Sequence, residues 1–323
     1  MKKRYVQKML TMVLTAAMIC SSVPVAAETV SENETAVTVD TAEEPEMEAD
    51  EEAQPEEAGE TVEEADAADI EADMLETEDT EVENGKEGYL SYCIYQKPDE
   101  TKYVEITECD YDTKGAVEIP TKIKNIAVTS IGNGAFNERT KLTSIEIPSS
   151  VTSIGRSAFS DCSGLTRIEI PVGVTEIGSF AFDDCSGLTS IKIPSSVTSI
   201  GDGAFYGCSR LTSIVVEAGN TVYDSRDNCN AIIEKETNTL IQGCKNTKIP
   251  AGVTSIGEYA FSGCSGLTST EIPAGVTSIG SEAFSDCSGL TSIVVEAGNT
   301  VYDSRDNCNA IIEKETNTLI QGC

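Results

Sequence analysis

Cysteine and carboxylate are the side chains through which this sequence could do chemistry: it holds 12 Cys, 55 Asp plus Glu, and no His. Thiolates and carboxylates bind metals, and either can serve nucleophilic or acid–base catalysis. Their spacing argues against each use. Cys162, Cys185, Cys208, Cys264 and Cys287 recur singly, with no CxxC pair, so zinc is not expected and they read as small buried fillers. Asp224, Asp227, Asn228 and Asn230 invite calcium, but they lack the EF-hand spacing and its closing Glu, and such residues commonly cap turns. Without His no Ser–His–Asp or Cys–His pairing can form, and paired carboxylates need an enclosing cleft. No catalytic residue, metal or cofactor is therefore expected.

The elements that position these groups follow from a repeat. Ile131-Gly132, Ile154-Gly155, Ile177-Gly178 and Ile200-Gly201 recur every 23 residues, as do Phe136, Phe159, Phe182 and Phe205, and Leu142, Leu165, Leu188 and Leu211. The period resumes at Ile256, Phe261 and Leu267, then at Ile279, Phe284 and Leu290. A fixed period of this length with Ile and Leu at set offsets predicts a leucine-rich-repeat solenoid. Within one unit, Ile145 and Ile147 face inward from a strand while Ser144 and Glu146 face out. Pro148 ends the strand, Gly155 permits a bend, and Ser157-Ala158-Phe159 is expected to make one short helical turn. The fold class is thus a repeat solenoid of about eight coils, with parallel strands on one face and short helical or irregular turns on the other. One lap cannot bury its own apolar face, so stability belongs to the stack. Thr270 stands where other units carry Ile, which predicts a weaker layer.

Four regions are expected: 1–27 a signal peptide, 28–86 an acidic disordered segment, 87–130 an N-terminal cap and first coil, and 131–323 the repeat domain. The first has a basic start, an apolar run and Val25-Ala26-Ala27 before a cleavage site; a lipid anchor at Cys20 is the alternative. The second packs 25 acidic residues against Lys86 alone and cannot bury enough apolar surface to fold. The formal charge of −33 disfavours nucleic acid and anionic lipid as partners. No later apolar stretch reaches membrane length and no wall-sorting tail is visible.

Two laps are longer, with β-hairpin insertions near 217–248 and 296–323; residues 211–244 recur unchanged as 290–323. Pairing Ile233 with Leu240 sets Cys229 opposite Cys244, so Cys229–Cys244 and the copy Cys308–Cys323 are possible disulfides in an exported chain. Cys93–Cys109 is a third, on the two strands of a cap hairpin around Lys97-Pro98-Asp99-Glu100. The last lap stops half-built, which suggests an uncapped coil open to self-association, or a longer natural product.

The unit Ile-Pro-x-x-Val-Thr-Ser-Ile-Gly-x-x-Ala-Phe-x-x-Cys-Ser-x-Leu-Thr resembles the repeat of the BspA-like surface proteins of bacteria, over about residues 88–323. The long lap, Asn220-Thr-Val-Tyr-Asp-Ser-Arg-Asp-Asn-Cys-Asn-Ala-Ile-Ile, is similar to segments in the same group. The resemblance implies a secreted or surface-displayed protein that adheres to host matrix or to other cells, and it supplies no catalytic residue.

What remains for function is surface. Ser144, Glu146, Arg167, Glu169, Ser190 and Lys192 face outward from the strands, on a curved contact face or a merely solvated one. Tyr223, Asp224 and Arg226 of the hairpin segment, with their copies Tyr302, Asp303 and Arg305, are the second candidate, because Tyr and Arg are enriched among binding hot spots. The expected partner is an extracellular protein or glycan. The competing expectation is a structural, self-associating surface spacer with no specific ligand.

Overall fold

The computed structural model describes residues 79–323; the leader at 1–27 and most of the acidic stretch lie outside the described residues. The chain opens with an antiparallel sheet of β1 (Thr80–Glu87), β2 (Leu90–Gln96) and β3 (Lys102–Cys109). Leu90, Tyr92, Ile94, Val104 and Ile106 turn inward and cover the first lap. The cap begins earlier than its apolar pattern indicates. The side chains of β1 are almost all exposed, and backbone pairing to β2 is what holds the strand.

β3 pairs in parallel with Ile126–Ile131, and the solenoid continues from there. Three ladders join successive laps. The first carries the Leu-x-x-Ile-x-Ile strands: Gly115–Glu118, Leu142–Glu146 and Arg167–Ile168 form one sheet, Ser190–Ile193 pairs with Ser213–Val216, and Ser269–Ile272 with Ser292–Val295. The register is one lap, Ser190 opposite Ser213 and Ile193 opposite Val216. The second runs through Ser153–Ile154, Glu176–Ile177 and Ser199–Ile200, and resumes at Ser255–Ile256 and Ser278–Ile279.

The third ladder corrects the expectation of a helical turn at Ser157-Ala158-Phe159. Alternate N–H groups point to the next lap: Ser157 donates to Ser179 O, Phe159 to Ala181 O and Asp161 to Asp183 O, at 2.8–3.0 Å. The intervening N–H groups close tight local turns, such as Ser160 to Ser157 O. Left-handed residues at Ser157 (φ 53°) and Asp161 (φ 59°) produce this alternation, which a helix could not. Gly178 is small for a different reason than bending. A Cβ there would lie 2.6 Å from the Arg156 nitrogen of the preceding lap, so glycine allows laps to approach.

Inside, each azimuth repeats one residue type. Phe136, Phe159, Phe182 and Phe205 stack with centroids 5.1–5.3 Å apart, and Phe261 stacks on Phe284 at 5.0 Å. The cysteines do more than fill space. The thiols of Cys162, Cys185 and Cys208 donate to the carbonyls of Phe136, Phe159 and Phe182 in the lap before, at 3.1–3.2 Å, and Cys287 does the same to Phe261 O. In the first lap Arg139 takes this position. It is 8% exposed, its Nε donates to Cys109 O at 2.7 Å, and it ties the cap to the stack.

The long lap takes a different path. Tyr223–Asp224, Ile232–Glu234 and Thr239–Gln242 form an antiparallel unit with Ile233 opposite Leu240 as expected, and Thr239–Gln242 then rejoins the second ladder beside Ser255–Ile256. It sends only Gly243 along the turn face, where the Gly243 N–H donates to Ala260 O at 2.7 Å; beyond it the turns of the flanking laps meet directly, Gly207 N–H donating to Ser262 O at 3.3 Å. Tyr259 sits edge-on to Phe180 and Tyr206, and Gly243 leaves room for the Phe261 ring. On the strand side, Asn246 to Ile249 pass without forming a strand. The buried residues accordingly divide into two clusters, with Cys244 in the first and Cys229 in the second.

Candidate functional site

The strand face carries a groove of about 920 Å³ lined by residues from five consecutive laps, including Glu118, Ser144, Glu146, Arg167, Glu169, Val172, Lys192 and Glu217. It brings together five of the six residues expected on this face; Ser190 is exposed on the same sheet but does not line the groove. Alternation along each strand explains the arrangement, since Ile145, Ile168 and Ile191 are buried while their neighbours project out.

The charges do not stand alike. Lys192 pairs with Glu217 at 2.5 Å, and the second Glu217 oxygen accepts the Ser195 N–H at 3.1 Å. Hydrogen bonding from Lys192, then from the Ser195 N–H, holds the Glu217 carboxyl below its ordinary range, and Glu217 in turn raises the Lys192 ammonium. Arg167 makes no ion pair among the described residues, and neither do Glu118, Glu146 and Glu169. Val172 projects beside them, 69% exposed.

Glu118, Val172 and Glu217 were not singled out from sequence. Val172 was legible as a departure, because the residue after the strand-ending proline is Ser149, Ser195, Ala251 or Ala274 elsewhere. Glu118 was hidden by spacing: it precedes Glu146 by 28 residues, not 23, because the antiparallel pairing of Lys122–Ile123 with Ile126–Ala127 lengthens its lap. A second groove of about 820 Å³ lies on the strand side beyond the long lap, lined by Lys245, Lys248, Thr270, Glu271, Val294 and Glu296 among others.

The hairpin candidates are corrected. Tyr223 and Tyr302 are each 5% exposed, and the Tyr223 hydroxyl accepts the Ile200 N–H at 3.1 Å, ending the second ladder where the next lap departs. They offer no free ring surface. Asp224 and Arg226 are bonded to each other at 2.9 Å, and Arg226 also to Asn238; Asp303, Arg305 and Asn317 repeat this more openly. The residue that organises this segment was missed. Asn220 is 2% exposed; its Nδ2 donates to Pro194 O and Val197 O, and its Oδ1 accepts the Val222 and Tyr223 N–H groups, at 2.7–2.9 Å. Asn299 repeats all four bonds.

All eleven cysteines among the described residues are free thiols. The proposed Cys93–Cys109 pair is not aligned, because Cys93 lies opposite Glu105 and Cys109 opposite Leu90. Cys229 and Cys244 are both buried free thiols, and the long lap brings the Cys244 thiol to 3.5 Å from the carbonyl of Asn230, the residue after Cys229. Their exposed copies Cys308 and Cys323 lie near one another in the chain's path, with the Cys323 N–H donating to Asn309 O. Burial pushes the Cys162 thiol up to about 12 and Cys287 to about 11, and it raises Cys185, Cys208 and Cys264 further, which leaves the ladder protonated and inert. Among the described residues no cluster of three or more Cys, Asp or Glu side chains is arranged to hold a metal ion. Nor is any helix there long and apolar enough to cross a membrane.

The model of the BspA type leucine rich repeat region matches residues 129–235 and 233–313, in six copies. Among solved structures, a T. pallidum leucine rich repeat protein is 25% identical over 65% of this chain and 91% of its own, with a TM-score of 0.41. A leucine-rich repeat protein from Bacteroides capillosus is 30% identical over 42% of this chain and 99% of its own, with a TM-score of 0.36. The pneumococcal vaccine antigen PcpA is 22% identical over 66% of this chain and 70% of its own, with a TM-score of 0.43. None of these overlays is close enough to support a residue-by-residue correspondence. No curated protein matches the chain.

Proposed function

The chain belongs to the BspA-type leucine-rich repeat family, and from that premise we propose that it is exported and displayed as a binding protein whose strand face contacts an extracellular protein or glycan. The observation that carries this reading is the groove itself. Elsewhere on the laps, Ser and Thr hydroxyls are spent on the neighbouring lap, as Thr152, Thr175 and Thr198 show by bonding to carbonyls one lap back. The strand face instead presents long, varied side chains, and Arg167, Glu146 and Glu169 make no ion pair among the described residues. Display outside the cell accords with the basic-then-apolar leader, and among the similar structures one is described as a leucine rich cell surface protein, from Faecalibacterium prausnitzii. Binding suits the site better than catalysis, because an open sheet face gives its carboxylates no enclosing cleft.

The test is steric. Ser144→Trp fills the groove without altering its charge. The full mature chain should bind immobilised extracellular-matrix proteins or a cell-surface glycan array, and the variant should lose at least tenfold in affinity to whichever surface is bound. Undiminished binding by a folded Ser144→Trp protein would remove the groove from the contact.

A further inference from the structure

Resting on that reading of the strand face, we infer that the groove selects a basic, extended polypeptide segment: one with Lys or Arg on one side and a small apolar residue to set against Val172.

The inference begins with register. Glu118 is the partner of Glu146 across adjacent strands, and the next pairing, Ile145 with Ile168, carries Glu169 into the same outward column. Parallel rungs lie about 4.8 Å apart, so three carboxylates stand in file over about 10 Å. Like charges facing one another across a ladder cost stability, and a face under selection for stability alone alternates them. The cations at hand relieve the file only at its Glu169 end. Lys192 follows Glu169 one lap on but is paired with Glu217 at 2.5 Å, and Arg167 lies in the neighbouring column opposite Ser144. The groove therefore holds four glutamates against two bases, with one base already neutralised.

Shape narrows the partner further. The groove crosses consecutive rungs, as an extended chain would, and Val172 (69% exposed) sits beside it after Pro171. A strand repeats its side chains on one face about every 6.6–6.8 Å, so two basic residues two apart can each sit between neighbouring members of the file of three carboxylates. The acidic charge of the whole chain adds long-range attraction for such a partner and repulsion for an acidic one. A neutral glycan could donate hydroxyls to the carboxylates but would not neutralise their charge.

The probe is a fluorescent peptide alternating Lys and Val over eight residues, with the Glu/Val peptide as control. Its anisotropy is read against the full mature chain at 150 mM salt. The expected result is saturable binding of the Lys/Val peptide alone, weakened tenfold or more in Glu118→Gln/Glu146→Gln/Glu169→Gln. Neutralising three glutamates of the acidic stretch (Glu51→Gln/Glu52→Gln/Glu57→Gln) should change it less than twofold. The Gln residues keep size and sheet pairing, and circular dichroism checks that the triple variant folds. A change below threefold in the groove variant, or an equal loss in the acidic-stretch variant, overturns the inference. If Ser144→Trp abolishes capture by a matrix or glycan surface while the groove Gln variant leaves that capture intact, the strand face stands as the contact and only the preference for a basic partner falls.

Discussion

Replacing Asn220 by Leu should cost a large share of the stability of this chain, as should the same change at its copy Asn299. Asn220 joins the regular laps to the long one, and its four hydrogen bonds satisfy two N–H groups and two carbonyls. Pro194 O keeps a second donor, the Val197 N–H, at 3.3 Å. Leu, of similar size, then leaves three groups without a partner: Val197 O and the Val222 and Tyr223 N–H groups. Each such group costs about 1–3 kcal/mol when buried, and because Val222 is half-buried the sum lies near the lower end, about 3–5 kcal/mol. That is a large share of the roughly 5–15 kcal/mol that holds a domain together. The bonds lie within the first apolar cluster and hold the start of the long lap, whose Ile232 belongs to that cluster and whose Ile233 belongs to the second, so loosening them should uncouple the two and split urea denaturation into two transitions. Asn220→Asp supplies a control with a known sign. A buried carboxylate facing the Pro194 and Val197 carbonyls has a folded-state pKa above its unfolded value, so its deficit relative to wild type should shrink as pH falls and grow as pH rises. A loss below about 1 kcal/mol for Asn220→Leu, with one transition preserved, would refute the assignment of Asn220 as the organiser of the long lap.

Three further outcomes follow from the interior. Asp183 is raised to about 6, chiefly by burial and then by Asp184, while the Ser160 hydroxyl bonded to it at 3.1 Å opposes the shift. Its folded pKa exceeds the unfolded value, so its favourable contribution is complete below about pH 4 and lost as pH rises through about 6. Asp183→Asn should therefore raise the unfolding free energy from urea titration at pH 7.5 by about 1 kcal/mol after screening at this partly exposed position, and leave it unchanged at pH 4. Thr270 is 9% exposed opposite Ile293, in the apolar column of its strand; Thr270→Ile should stabilise by about 1 kcal/mol, read from chemical denaturation. Under native conditions a maleimide should label Cys308 and Cys323 quickly. Cys162, Cys185, Cys208 and Cys264 should react only after unfolding, as mass spectrometry of the peptides would show.

The lap was legible because its signals are repeated and apolar. Ile145 and Ile147, Phe159 and Leu165 return at one period, and burial follows that period directly. The hairpin pairing Ile233 with Leu240 was legible for the same reason, two β-prone runs around a polar turn. What escaped was the polar half of the structure. Asn220 sits in a segment rich in Asn, Asp and Ser, where an Asn reads as one more turn former; only the fold shows that it faces inward. Tyr223 read as an exposed hot spot because its neighbours are polar, yet its hydroxyl is needed by Ile200. The turn face read as helical from the compact run Ser157-Ala158-Phe159 alone. The left-handed residues that decide otherwise are as varied as Ser157, Phe180, Tyr259 and Glu282, so composition gives no warning. At the candidate site, the outward positions Glu146, Arg167, Glu169 and Lys192 came from simple alternation. Which of them are free and which are paired depends on Glu217, which stands where other laps carry proline.

Stacking of laps in register underlies both the fold and the groove, and a pair of engineered disulfides measures it most directly. Ser190 and Ser213 are partners in adjacent parallel strands, which places their Cα atoms about 4.8 Å apart, within reach of a disulfide. Ser190 and Val215 are offset by two residues, and their separation of about 8 Å is beyond it. Mild oxidation should cross-link the Ser190→Cys/Ser213→Cys protein and leave Ser190→Cys/Val215→Cys open, as read from disulfide-linked peptides by mass spectrometry. Equal cross-linking of both pairs, or cross-linking of the offset pair alone, would contradict the stacked register on which everything else is built.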